Sequence, residues 1–241
     1  SMVSSTEVQI VNGEEEIPNI QADHTILAIG SRPRYLSEIP IDEKIIYTSD
    51  GILSMEKYPE SIVILGAGVI GCEFATIFSN FGKTKVFLID KAPRILPFED
   101  QDISEMVAVN LTKNGVHIHK GAGLESMVVE DGKVKYTLAF EDGTKEIRYV
   151  DKALISVGRV PNSENIGLKE IGVELNNRGY CVDKDTQTSV PNIYAVGDFT
   201  ADIALVNIAE LEGRHAVELL FNPNPPVINY DNISTIMFLN P

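Results

Sequence analysis

Apolar positions recur along this chain with two different spacings, and the breaks between them carry Gly, Pro, Asn and Asp. The run HTILAI, residues 24–29, predicts a buried strand ended by Gly30. Two short strand-like runs precede it and meet at Asn12-Gly13, a hairpin signal because both residues tolerate positive φ. Residues 31–60 are punctuated by proline and charge and show no long period. SIVIL, from Ser61, predicts a parallel-type strand. Phe74, Ile77, Phe78 and Phe81 then fall at i, i+3, i+4 and i+7, the stripe of a helix that Gly82 ends. KVFLI, residues 85–89, is the next strand. A second helix is expected over 102–114, with Ile103, Met106, Val107 and Leu111 on one face and Asn114-Gly115 as its stop. VHIH opens another strand. Three strands then meander through Glu130-Asp131-Gly132 and Glu141-Asp142-Gly143, and ALISV, residues 153–157, returns to the sheet and ends at Gly158.

The order β-α-β-α-β, meander, β is that of a nucleotide-binding half with a three-stranded addition. A strand at 192–196, a Gly197-Asp198 turn and a helix over 207–221 follow. The closing NYDNISTIMFLNP reads as a strand-like run with no partner in view. Two stretches echo each other, EVQIVNGEEEIPNIQADHTILAIGSRP from Glu7 and KYTLAFEDGTKEIRYVDKALISVGRVP from Lys135. Asp23 aligns on Asp151 and Pro33 on Pro161 without a gap, yet only one glycine fingerprint, GAGVIG at Gly66, is present.

Composition narrows the function. The 241 residues suffice for one large or two modest cores, and no run approaches the ~18 apolar residues of a membrane span. No basic region followed by an apolar core opens the chain, so no secretory signal is indicated. The initial Ser1-Met2 reads as the remnant of a cleaved tag. A net charge of −15 argues against a nucleic-acid backbone binder, since no surplus of cations exists to displace counterions. Cys72 and Cys181 form no redox pair and no metal spacing, a usage that suits a reducing cytoplasm.

GAGVIG carries the chemistry. Gly66 permits a tight turn out of the strand, Gly68 lets a pyrophosphate approach the backbone, and Gly71 lets the helix pack close to the sheet. The helix N-terminus then directs unpaired N–H groups and its positive dipole end at phosphate. Asp90 ends the next strand, where a carboxylate accepts hydrogen bonds from an adenosine ribose and repels a 2′-phosphate; its other reading is a turn or cap aspartate. Lys91 and Arg94 blur the choice of nucleotide, and the strand-end position of Asp90 favours NAD over NADP. Asp198, after a strand and a glycine and before a helix, is placed either to accept from polyol hydroxyls or to cap that helix.

GAGVIGCEFATIF, LIDKAPRILPFEDQDIS, ISVGRVPN and TSVPNIYAVGD, in this order, resemble the flavin-dependent pyridine nucleotide–disulfide oxidoreductases over nearly the whole chain. The resemblance implies an α/β fold. In it, a Rossmann-like NAD-binding domain with a three-stranded β-meander, residues 49–162, is inserted in an incomplete FAD-binding domain, residues 1–48 and 163–228. Residues 229–241 would open a truncated dimerisation domain. It explains the echo, because both domains end in a meander, a strand and a glycine. The FAD fingerprint and the redox-active cysteine pair are then expected upstream of residue 1, and the histidine–glutamate acid/base pair beyond Pro241, so no catalytic residue is assigned.

By the same resemblance Gly66, Ala67, Gly68, Val69, Ile70 and Gly71 would hold the NAD pyrophosphate and Asp90 its ribose. Glu73 and Gly158 would lie near the nicotinamide, and Val69 sits where some relatives carry an aromatic gate over the flavin. Asp198 would bind the FAD ribityl chain, Leu205 and Val206 would approach the isoalloxazine, and Gly30 would lie near FAD. The whole protein would pass hydride between NAD(H) and FAD as a cytoplasmic homodimer. It would act as a disulfide reductase of the lipoamide-linked branch, serving a 2-oxo acid dehydrogenase complex, or as a soluble pyridine nucleotide transhydrogenase of the same fold. A third reading, for the chain by itself, is a non-catalytic nucleotide-binding module that holds NAD(H), carries no FAD and turns nothing over.

Other candidates have plain structural readings. His117 and His119 share a strand face without a third metal ligand, and FEDQD from Phe98 suits a helix N-terminus. Cys72 lacks a basic partner and reads as a packing residue. His24 and His215 have no legible partner.

Overall fold

A computed structural model describes residues 1–12, 15–81, 84–140 and 142–239. Its contacts divide the chain into two compact units, residues 1–32 with 159–235 and residues 33–158 with 236–241. Three expected turn positions, Gly13, Gly82 and Glu141, lie outside the described residues.

The second unit is built on a five-stranded parallel sheet. Its order is His117–Lys120, Lys85–Asp90, Ser61–Leu65, Lys152–Ile155 and Ile46–Thr48. Both faces are covered, which is why the buried residues 62–65 are all apolar. Ile62, Ile64, Val86, Leu88 and Leu154 point to helices α1 (Val69–Phe81) and α2 (Gln101–Lys113). Val63, Leu65, Phe87, Ile89, Ala153 and Ile155 point instead to the antiparallel meander Gly123–Glu130, Lys133–Ala139 and Lys145–Val150, which contributes Met127, Val134, Tyr136 and Leu138. Strand alternation thus splits one continuous run between two cores. This is the expected α/β arrangement, a Rossmann-like sheet with a three-stranded addition.

Three local expectations change. Residues 31–60 carry a strand, Ile46–Thr48, which forms the sheet edge beside Lys152–Ile155. Residues 33–48 therefore make their contacts within this unit. Both helices also turn a shifted face inward: Phe74 and Phe78 of α1 and Val107 and Leu111 of α2 lie on the core as expected, and the rest of each stripe does not. In α1 the buried positions are Gly71, Cys72, Ala75, Thr76 and Phe78, while Ile77 is 37% and Phe81 74% exposed. In α2 they are Ser104, Ala108 and Leu111, with Ile103 and Met106 outward. Close packing on the sheet brings small residues inward beside Phe78 and Leu111, and Ile77, Phe81, Ile103 and Met106 are turned to the flank. Finally, the closing segment forms no strand. Met237 and Leu239 pack on the α1–α2 core, and Phe238 N–H donates to Glu73 Oε1 at 2.9 Å.

The first unit holds a four-stranded sheet ordered Asp183–Lys184, Gln187–Thr188, Ile193–Ala195 and Thr25–Leu27, the last two parallel. Met2, Leu27, Ile193, Ala195 and Phe199 fill one core. Tyr194, Val196 and Ala216 form a second against helix α3 (Val206–Phe221). Met2, read from sequence as part of a tag remnant, is buried here. A three-stranded sheet, Met2–Ser4, Glu7–Val8 and Ile20–Gln21, completes the unit's larger pairings, and Val11–Asn12 pairs with Glu15–Glu16 where a hairpin was expected. No helix among the described residues is long and apolar enough to cross a membrane.

Candidate functional site

The expected site residues fall into two groups, one in each unit. In the second unit, strand Ser61–Leu65 runs into the glycine turn and α1. Gly66 has φ +102°, and a Cβ there would lie 2.4 Å from the Ser156 carbonyl oxygen. A Cβ on Gly71 would lie 1.9 Å from the Gly66 oxygen. The protein's own backbone therefore excludes side chains at both positions. Gly68 differs, because its φ is not positive and a Cβ there would meet nothing within 4 Å. The first bond inside α1 runs from Cys72 N–H to Gly68 O at 3.0 Å, so the N–H groups of Val69 to Gly71 precede the helical ladder. No acidic residue sits in the first turn of α1 to offset its dipole.

Asp90 holds this turn. Its Oδ2 accepts from Ala67 N–H at 2.6 Å and its Oδ1 from Ala92 N–H at 2.8 Å. The turn-aspartate reading is thus observed, and each oxygen keeps a further lone pair for a ribose hydroxyl. Ser156, which sequence reasoning passed over, donates its hydroxyl to the carbonyls of Leu65 and Gly66, both at 3.0 Å. Leu96 N–H closes the other side on Ala67 O at 2.8 Å. Arg94 donates to the carbonyls of Pro97 and Glu99 at 2.8 and 2.7 Å, which ties its guanidinium into its own loop. Val69 is exposed at the mouth of the turn and Ile70 is half-buried beside it. Glu73 is half-buried and engaged by Phe238 N–H, and Gly158, with φ +106°, is exposed. Cys72 is fully buried, and burial, with the nearby carboxylates of Asp90 and Glu73, pushes its thiol up to about 12. It is a packing residue, not a nucleophile.

His117 and His119 both stack on Phe87, and the Arg148 guanidinium lies 4.8 Å from the same ring. No group of three or more metal-ligating side chains occurs among the described residues.

In the first unit, Asp198 lies in the short turn Gly197–Phe199. Its Oδ2 accepts from the Ser31 hydroxyl at 2.7 Å. Arg159 Nε donates to that hydroxyl at 2.7 Å and stands 4.0 Å from Asp198 Oδ2, and Arg159 also donates to the Ser31 carbonyl at 2.9 Å. Asp198 does not cap α3: the cap residue is Leu205, with no side-chain bond to the helix. Leu205 is half-buried and Val206, 88% exposed, opens α3. Gly30, at φ +65°, precedes Ser31, and its carbonyl accepts from Asn162 N–H at 3.1 Å. Ser31 and Arg159 sit directly after Gly30 and Gly158, in the two echoing segments SRP and RVP, and that repetition was the signal that could have found them.

A parallel sheet with a glycine turn at a helix N-terminus is a Rossmann-like arrangement. Residues 3–213 match the family described as pyridine nucleotide-disulphide oxidoreductase, and the chain belongs to that family. It is 36% identical over its full length to the dihydrolipoyl dehydrogenase of Chlamydia pneumoniae, of which it covers 50%. It is 36% identical over 95% of its length to a dihydrolipoyl dehydrogenase of Bacillus subtilis, of which it covers 48%. Among solved structures it is similar to a Cu(II) complex of the HOCl-induced flavoprotein disulfide reductase RclA of Escherichia coli. That match has a TM-score of 0.87 at 27% identity, over 99% of this chain and 53% of the other. The chain thus spans about half the length of the curated relatives it matches, which are oxidoreductases.

Proposed function

We propose that this chain is the NAD(H)-binding portion of an oxidoreductase that passes hydride between NAD(H) and FAD, with dihydrolipoamide as the substrate of the whole protein. The observation that carries the nucleotide reading is the contrast inside the glycine turn. Gly66 and Gly71 are required by the protein's own packing, whereas nothing in the protein requires Gly68. A missing side chain facing open space, beside the uncompensated N-terminus of α1, fits a diphosphate laid against backbone N–H groups. The dihydrolipoamide reading is supported by the names of the curated relatives.

The chain's residues have separate tasks in this reading. N–H groups at the start of α1 bind the diphosphate, and Asp90, rigidly held by Ala67 and Ala92, presents carboxylate lone pairs to the adenosine ribose. Its charge disfavours a 2′-phosphate, and Arg94 is committed to its own loop carbonyls, so NAD(H) is preferred over NADP(H). Asp198, oriented by Ser31 and Arg159, accepts from the ribityl hydroxyls of FAD. The two cofactors, when bound, supply the hydride chemistry, and the protein supplies binding and orientation.

Titration of the chain with NADH and NADPH tests the reading. NADH binds more tightly, and Asp90→Ala reduces the difference. Preference for NADPH in the wild-type chain overturns the assignment of Asp90, and absence of binding by either nucleotide overturns the site.

A further inference from the structure

Helix α3 buries a glutamate where its pattern calls for an apolar residue. Ile208, Glu212, His215 and Ala216 form the inward stripe, and Glu212 is 1% exposed. A carboxylate at such a depth is costly unless its oxygens are bonded. Both are: Oε2 accepts from Gly197 N–H at 2.6 Å, and Oε1 accepts from the Tyr230 hydroxyl at 2.9 Å. Burial, and then the nearby charges of Asp202 and Asp198, push Glu212 up, while the two hydrogen bonds oppose the shift.

Gly197 begins the turn that carries Asp198. Its φ is +70°, and a Cβ there would stand 3.0 Å from that of Ala209 on α3. Its neighbour Val196 spends its N–H on Leu27 O at 3.1 Å, and the Gly197 carbonyl accepts from Thr200 N–H at 2.9 Å. On the far side of Asp198, Phe199 is fully buried and its carbonyl accepts from Cys181 N–H at 3.0 Å. The Asp198 backbone is therefore fixed at both ends, and only the Gly197 end depends on an ionisable side chain.

We propose that Glu212 is a positioning residue for flavin binding: by holding Gly197 N–H it sets the direction of the Asp198 carboxylate toward the ribityl hydroxyls, and Tyr230 in turn holds Glu212. This inference rests on the flavin reading of Asp198. An apolar residue at 212 would leave Gly197 N–H buried without an acceptor, and the turn would open to find one.

The test uses the chain extended in both directions to the length of its relatives and loaded with FAD. Glu212→Gln, which offers Gly197 a weaker neutral acceptor, weakens FAD about tenfold or more, the loss expected of a hydrogen bond to a charged group. NADH affinity at the glycine turn of α1 stays within about twofold, as does FAD affinity in Ile208→Val, a control that loosens the same helix without touching the turn. Unchanged FAD affinity in Glu212→Gln, or an equal loss in Ile208→Val, overturns the inference. Asp198→Ala separates the premises: if it leaves FAD affinity unchanged, the flavin reading has failed; if it weakens FAD while Glu212→Gln does not, only the positioning role has failed. Should Glu212→Gln not fold, hydrogen exchange in the wild-type 241-residue chain decides. Strong protection of the Gly197 amide supports the bond, and exchange at the rate of an open loop overturns the inference.

Discussion

Each unit contains a strand that runs through a glycine turn into a helix, and the two turns are held differently. In the second unit Asp90, from the next strand, reaches back to Ala67 N–H, and Ser156 braces the Gly66 carbonyl. In the first unit Glu212, from the helix that follows, reaches back to Gly197 N–H, while Ser31 and Arg159 brace the side chain of Asp198. The same need, an acceptor for a buried turn N–H, is met by a carboxylate from a different element in each unit, the next strand in one and the following helix in the other. Where the strand-end acid holds the turn, it has a structural duty in addition to any ribose contact. Where the helix acid holds it, the turn's own aspartate keeps only side-chain partners. The comparison predicts that substitutions in the two turns will separate stability from binding in different ways.

The largest effect is expected at Gly71. A methyl there collides with the Gly66 carbonyl, which Ser156 holds in place. Gly71→Ala should cost about 3–4 kcal/mol of the second unit's stability by forcing α1 off the sheet. Gly197→Ala meets only the Ala209 Cβ, at 3.0 Å, together with a positive φ, and should cost about 1–2 kcal/mol in the first unit. Hydrogen exchange followed in strands Ser61–Leu65 and Ile193–Ala195 reports the two units separately. Equal losses in both variants would show that the turns are equally tolerant and break the comparison.

The acids come next. Asp90→Ala leaves two backbone N–H groups without their carboxylate, one of them on fully buried Ala67. It should cost about 2 kcal/mol and lower the NADH preference at once. Asp198→Ala removes an acceptor from Ser31 and a charge 4.0 Å from Arg159, both of which retain each other. Its stability cost should be about 1 kcal/mol or less. Denaturant midpoints of the two variants give the ranking, and a larger loss in Asp198→Ala reverses it.

Gly68 sharpens the contrast within one turn. Since a Cβ would meet nothing and φ needs no glycine, Gly68→Ala should leave the second unit as stable as before or raise it by about 0.5 kcal/mol through the unfolded chain. NADH affinity should nevertheless fall by about tenfold, because the methyl occupies the approach of the diphosphate. Undiminished affinity would remove the observation on which the nucleotide reading stands.

These substitutions also show what the sequence made legible. The three glycines, Asp90 and the parallel strands were readable because each is a local pattern with one physical cause. The inward faces of α1 and α2 were legible only in part, at Phe74, Phe78, Val107 and Leu111. Period 3.6 ranks residues by hydrophobicity, whereas contact as close as that of Gly71 with the Gly66 carbonyl ranks them by size, so Cys72, Ala75 and Ser104 displaced Ile77, Phe81 and Ile103. Strand Ile46–Thr48 is three residues long and owes its place to its partner Lys152–Ile155, not to any pattern of its own. Glu212 looked like one of three glutamates in an ordinary helix until Gly197 was found against it.

The smallest effect is one of pH, and it has opposite signs in the two units. In the second unit His119 is held below its usual range, first by burial and then by the Arg148 guanidinium, with His117 adding to the shift and Glu146 opposing it. A lowered folded pKa means that the unfolded chain takes the proton first. Stability is then complete above about pH 6.5 and declines as pH falls from there toward the folded value. In the first unit Asp183 is raised to about 6, chiefly by burial and then by the charge of Asp202, with its bond from Thr186 N–H opposing. A raised folded pKa in an acid has the opposite consequence. The unfolded chain ionises from about pH 4 upward while the folded chain stays neutral, so stability is lost between about pH 4 and 6 as pH rises. The carboxylates of the second unit whose ranges are lowered, Asp42, Glu130, Asp142 and Asp151, titrate below this window. Acidifying from pH 7 to pH 5 should therefore weaken protection in Ser61–Leu65 and strengthen it in Ile193–Ala195, with His119→Gln abolishing the first change and Asp183→Asn reducing the second, to which Glu212, also pushed up by burial, contributes with the same sign. Parallel changes in both strands would show that the two units respond as one, and that the balance of buried acid and histidine does not distinguish them.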